Sequence, residues 1–563
     1  TIKGDLSITT ASTVGISDEG VLTIHGTSNF VTSANNATIT LDTSTNAFTG
    51  AVTITTNDDS GADADVTIDG GTTKLVIATS TVDGDLTLKS GHADGVEDSG
   101  LVTVGGNLSL TNDVDHGSFN MDTLAVTGTF ALTTQGDRGN ATVVNASAID
   151  MATSTSEGRI YATARGPITQ SGVITVASQS EWIAQSSDTN TDYDITLENT
   201  SNSFGGNLKV TGANASIKDT GVTTISATTV SGNYNLTTTG LVKDGATMDV
   251  EGTTTISASG STITMNLLHD FTGAVSVEGT NVLLVDSNTI VLGTADVSGT
   301  FTVTSVAGDI TDSGTLTIAG ASKFITGATG SNIILDSSSN AFSGSVEMNA
   351  GDATNGNRND GEGDEAFGNI TFVDSAGVDF ATAANNNGDL FINGSTDGAV
   401  GGNLSVTATQ GDITDTVALT VSGTSSFTTA ASAGVITLNS SNALTGAVTL
   451  NTTGTTGNAD VNNGSTALNI AASSVDGTIG LITTGNATVV NNDVGLNFGT
   501  TTVGGTLTAT QATGNITDTG VLTITGTSAF TTSATDADIT LSTATNDFTG
   551  DVSFTTAGTS GNV

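Results

Sequence analysis

Among the residues able to do chemistry, the acids recur with the most order. Asp309 and Asp312 lie in GDITDSG (308–314), Asp412 and Asp415 in GDITDTV (411–417), and Asp518 in GNITDTG (514–520). Closely spaced carboxylates suit acid–base cleavage of a glycosidic bond or coordination of a hard cation through oxygen. A catalytic site is built once, whereas these acids return with the scaffold, so they read as solvent-facing turn acids or weak calcium ligands. The stretch 352–365, DATNGNRNDGEGDE, sets Asp352, Asp360, Glu362, Asp364 and Glu365 among glycines. Its spacing is not that of a helix–loop–helix calcium loop, which leaves a surface loop or a cation-bound one.

Other chemistries find no footing. His25, His92, His116 and His269 share no short spacing, so neither a histidine metal cluster nor a Ser-His-Asp arrangement is indicated. There is no cysteine, no Gly-Lys phosphate loop and no nucleophile elbow between a strand and a helix. Trp182 and Tyr193, in the least regular part of the chain, are candidate surface contacts for glycan or protein.

Composition narrows the setting. The 563 residues carry 11 Lys+Arg against 56 Asp+Glu, a formal net charge of −45, which argues against nucleic acid or an anionic membrane as partner. The 71 glycines accompany a single proline, which excludes collagen. No apolar run reaches the roughly 18 residues of a membrane helix, and the first ten residues lack a secretion signal. The beginning at Thr1 and the end at Val563, just after a repeat reopens, point to a section of a larger chain. Lack of cysteine with acidity and repetition leans toward an extracellular or bacterial cell-surface location.

The elements that would position the acids are repeats. VSGTF begins at Val297, VGGNL at Val400 and VGGTL at Val503, so the period is 103 residues, and Gly308, Gly411 and Gly514 keep it. Phe324, Phe427 and Phe530 follow in each unit, and a third signal places Gly344, Gly446 and Gly550 in NAFSGSV, NALTGAV and NDFTGDV. The chain divides into a first repeat block (1–83), a degenerate stretch (84–296), a unit containing the acidic insertion (297–399), a unit at 400–502 and a partial unit at 503–563.

Within a repeat, apolar residues alternate in pairs such as Leu404 and Val406 or Ile436 and Leu438, the mark of short half-buried strands. Glycine-rich turns punctuate them and leave no room for crossover helices. The fold expected is all-β: a parallel β-helix, or β-solenoid, of about 20 residues per coil, with tandem β-sandwich domains as the alternative. Echoes inside the 103-residue unit and the absence of linkers favour coils. About 28 coils advancing about 4.8 Å each would make a rod on the order of 130 Å. The glycines read as corner residues with positive backbone angles.

The pieces GNLSVT (402–407), GDITDT (411–416) and NAFTGAV (46–52) resemble the β-helical shafts of filamentous-haemagglutinin-type bacterial adhesins and related giant surface proteins with β-strand repeats. The resemblance implies export across an outer membrane and a shaft that projects binding regions or builds surface filaments. The function expected is therefore a non-enzymatic extracellular structural rod. A self-assembling sheath or surface-layer component is the alternative, and a polysaccharide-active enzyme ranks last. Expected partners are further copies, end to end or laterally, and glycan or cell-surface protein reached through regions outside this chain. Calcium is the one candidate cofactor.

Overall fold

Threonine, valine and isoleucine stiffen the backbone toward extended conformations, and glycine-rich corners interrupt it every few residues. The computed structural model describes residues 1–57, 64–351, 368–381, 389–392, 399–454, 456–491 and 495–563, and these form a parallel β-solenoid. Two compact units divide it, Thr1–Gly273 and Ala274–Val563.

In the first unit, Leu6–Thr10, Ser28–Thr32 and Val52–Thr55 stack in parallel with Leu6 beside Ser28 and Ser28 beside Val52. A second face runs from Ile39 through Val66, Leu86 and Leu108 to Phe130. In the second unit, Phe301 stands beside Ser322 and Ser322 beside Val346. The other face there runs from Leu468 through Ala487, Leu507 and Ser528 to Val552. Typical steps between partners are 19 residues (Ala141 to Ile160), 21 (Phe301 to Ser322) and 24 (Ser28 to Val52), about one coil each. Parallel pairing of consecutive short strands is what a solenoid requires and an antiparallel sandwich forbids. The step from Ile333 to Ile370 is longer, 37 residues, yet the two strands still pair in parallel and in register.

Alternation sets the core. Strands such as Leu86–Ser90 and Phe301–Ser305 bury every second side chain and leave the others half-exposed. Each buried aliphatic side chain contributes on the order of 2 kcal/mol, and the coil above covers what the coil below would expose. Aromatic rings stack along the axis as well: Phe301, Phe324 and Phe342 meet edge to face at 5.8 and 6.2 Å. Trp182 is fully buried and packs edge to face on Phe204 at 6.2 Å. That corrects the expectation of a surface contact there: the Ser180–Ala184 strand points its third residue inward.

The corners are closer than the sequence reading allowed. Gly299, Gly320 and Gly344 form a column, as do Gly402, Gly423 and Gly446, and Gly505, Gly526 and Gly550. A Cβ on the upper glycine of each step would run into the carbonyl of the glycine beneath. None of these glycines has a positive φ, so the reason for them is close approach of stacked backbones; Gly514, with φ 80°, is a true left-handed corner.

Candidate functional site

The recurring acids serve as joints between coils. In the second unit, Asp312 Oδ1 accepts the Asp336 amide at 2.9 Å, while Oδ2 accepts the Ser337 amide at 3.3 Å and the Asn340 side-chain amide at 2.6 Å. Asn340 is fully buried, and its Oδ1 accepts the Leu316 amide at 2.9 Å. One carboxylate and one side-chain amide thereby bind each other and satisfy three backbone amides at the corner.

The same clasp returns one repeat later. Asp415 accepts from the Asn439 and Ser440 amides and from Asn442 Nδ2 at 2.8 Å, and Asn442 Oδ1 accepts from Leu419 at 2.7 Å. Asp518 takes the Ser542 amide at 2.7 Å and Asn546 Nδ2 at 2.6 Å, with Asn546 Oδ1 on Leu522 at 2.9 Å. In the first unit Asp18 and Asn46 meet at 2.7 Å, and Asn46 Oδ1 accepts from Leu22 at 2.8 Å. At GPITQSG (166–172) glutamine replaces the acid: Gln170 and Asn202 exchange two bonds, at 2.8 and 3.0 Å. Burial desolvates the Asp312 and Asp415 carboxyls and pushes both above the usual carboxylate range despite the donors around them.

The first acid of each pair belongs to another column. Asp309 Oδ1 accepts the Asn332 amide at 2.7 Å, Asn332 Oδ1 the Asn369 amide at 2.8 Å, Asn369 Oδ1 the Asn403 amide at 2.8 Å, and Asn403 Oδ1 the Thr424 amide at 2.8 Å. Asp412 accepts the Val435 amide at 2.8 Å. The first unit repeats the device from Asp65 through Asp85 and Asn107 to Thr129. Asp309 and Asp312 therefore work in separate ladders. Among the described residues no group of three or more His, Cys, Asp or Glu is gathered for a metal.

The remaining sequence candidates disperse. Asp352, Asp360, Glu362, Asp364 and Glu365 lie outside the described residues. Tyr193 is half-buried beside the local antiparallel bridge between Gln185 and Asp192, and its amide donates to the Ala184 carbonyl at 2.8 Å. The clasping asparagines carry as much of the geometry as the acids and were visible only as the first letter of NAFSG and NALTG. His269 was equally hidden: it is buried, its Nδ1 accepts the Met248 amide at 2.9 Å, and its Nε2 donates to Asp244 at 2.9 Å. Burial pulls its pKa down, so the ring is neutral at pH 7.

The model of the family described as Repeats of unknown function (DUF5649) matches residues 1–55, 138–211, 212–278, 279–349, 367–451 and 484–555, about three quarters of the chain. No curated protein and no solved structure matches. Among the described residues no helix is long and apolar enough to cross a membrane.

Proposed function

We propose, from the premise that the chain belongs to the family of Repeats of unknown function (DUF5649), that it is an extracellular structural rod: shaft material of a bacterial surface adhesin or cell-surface filament. The observation that carries this reading is the use made of the ordered polar residues. The acids and amides that recur with the sequence are engaged coil to coil, as Asp415 and Asn442 are, and so join the scaffold to itself. Parallel rungs and glycine columns repeat from one coil to the next, and the clasps from one repeat to the next, which spreads a pull along many backbone hydrogen bonds. The role proposed is mechanical and non-enzymatic. Residues 359–563 contain no lysine or arginine, so trypsin-like proteases find no cleavage point there.

Calcium enters the proposal as a weakly held counter-ion. A net charge of −45 repels itself along a regular stack, and a hard divalent cation offsets that repulsion through exposed carboxylates. The reading is tested by labelling intact cells for the chain and imaging the isolated protein at low concentration. Surface label with discrete elongated particles is expected. Label confined to the cytosol, or particles like strings of round beads, would remove it; lengthening polymers would shift it toward a self-assembling filament.

A further inference from the structure

Asp460 departs from the pattern of engaged acids. It lies on the outer side of the Ala459–Asn462 strand, in register with Gly480 of the next coil, which in turn precedes Gly499. Two glycines in neighbouring coils leave the sheet surface without side chains, and a glycine inside a strand often marks a place where a ligand approaches the backbone. The result is a trough of about 310 Å³ with Gly480 and Gly499 in its lining and Asn439, Thr478, Thr500 and the exposed Ile482 around them.

The Asp460 carboxylate lies over Gly480, where a Cβ would strike it, and accepts no hydrogen bond from any described residue. Burial alone pushes its pKa up. The chain cannot supply a counter-charge nearby in sequence, because residues 359–563 lack lysine, arginine and histidine altogether. An adjoining hollow of about 370 Å³ shares Thr478 with the trough. A half-buried carboxylate without a donor, beside a trough lined by two glycines, calls for a cationic donor as occupant. A caged metal is a poor fit, since among the described residues no group of three acidic or imidazole ligands gathers there.

We propose that this trough binds a small ligand bearing a protonated primary amine, with Asp460 pairing the ammonium and the hydroxyls of Thr478 and Thr500 taking its further donors. Glucosamine and glucose make a matched pair of probes that differ at the ammonium. Calorimetric titration of the full chain at pH 7 and low ionic strength should show saturable binding of glucosamine and none of glucose. Asp460→Asn, which sacrifices no hydrogen bond and so leaves the thermal midpoint in place, should weaken glucosamine binding about tenfold or more. Asp460→Glu should retain part of it. Absence of glucosamine binding, equal binding of glucose, or unchanged binding by Asp460→Asn would each overturn the proposal, the last by exposing diffuse attraction to the acidic surface. None of these outcomes bears on the shaft, whose test is imaging.

Discussion

The corner at Asp415 and Asn442 in the second unit and the corner at Gln170 and Asn202 in the first solve one problem with different charge. In both, an acceptor on one coil reaches a fully buried asparagine on the next, and that asparagine caps a backbone amide, Leu419 or Ile174. The charged version makes stronger bonds and leaves a costly group behind when broken. The neutral version holds the same geometry with no ion to desolvate. What the fold requires at this corner is therefore an acceptor and an amide at the right step, and charge is an addition to it.

The sharpest way to separate the two is to remove the asparagine. Asn442→Ala should cost about 3 kcal/mol of local stability, because the half-buried Asp415 charge loses its side-chain donor and the Leu419 amide loses its acceptor. Asn202→Ala should cost about 2 kcal/mol, since no charge is stranded. Amide hydrogen-exchange protection in the flanking strands measures both, and equal losses would show that the charge is inconsequential. Converting one corner into the other comes next. Asp415→Gln should change protection there by less than about 1 kcal/mol, provided the longer side chain reproduces the two-bond exchange of Gln170.

Acidity should then split the regions by sign. The folded pKa of Asp312 and of Asp415 is raised above 3.8, so the folded coils hold those protons more tightly than the unfolded chain. Their stabilising share is full below pH 3.8 and is lost as pH rises through the folded values. His269 in the first unit works the other way: its pKa is lowered from 6.5, so its share is full above 6.5 and fades as pH falls. Between pH 7 and 5.5, protection should therefore weaken around Met248–Val250 while the Asp415 corner holds. Asp415→Gln should abolish the acid response at its own corner and leave that of His269 untouched. The smallest effect expected is a slight rise in the thermal midpoint with millimolar calcium relative to chelator, the same in wild type and in Asp415→Gln; an unchanged midpoint would reject calcium as a stiffener.

The coil architecture was legible because it depends on alternation and period, and both are printed in the order of residues. Leu404 and Val406 face inward as their spacing predicts, and the 103-residue register returns as equivalent clasps. The clasp itself was half-legible: ITD and NAF stood out as signals, but Asp312 and Asn340 are 28 residues apart, and only a known coil length tells that they touch. Trp182 misled because a lone large aromatic in an irregular stretch looks like a surface feature, whereas its place as third residue of the Ser180–Ala184 strand turns it inward against Phe204. The trough was hidden for the opposite reason. Gly480 reads as one more turn glycine, and its place inside the Thr478–Thr483 strand follows only from pairing with Ala459–Asn462.

The long step from Ile333 to Ile370 has an implication for building with this chain. Residues can be added between two rungs without altering how those rungs meet, because alignment is decided locally by each strand and not by the tether between them.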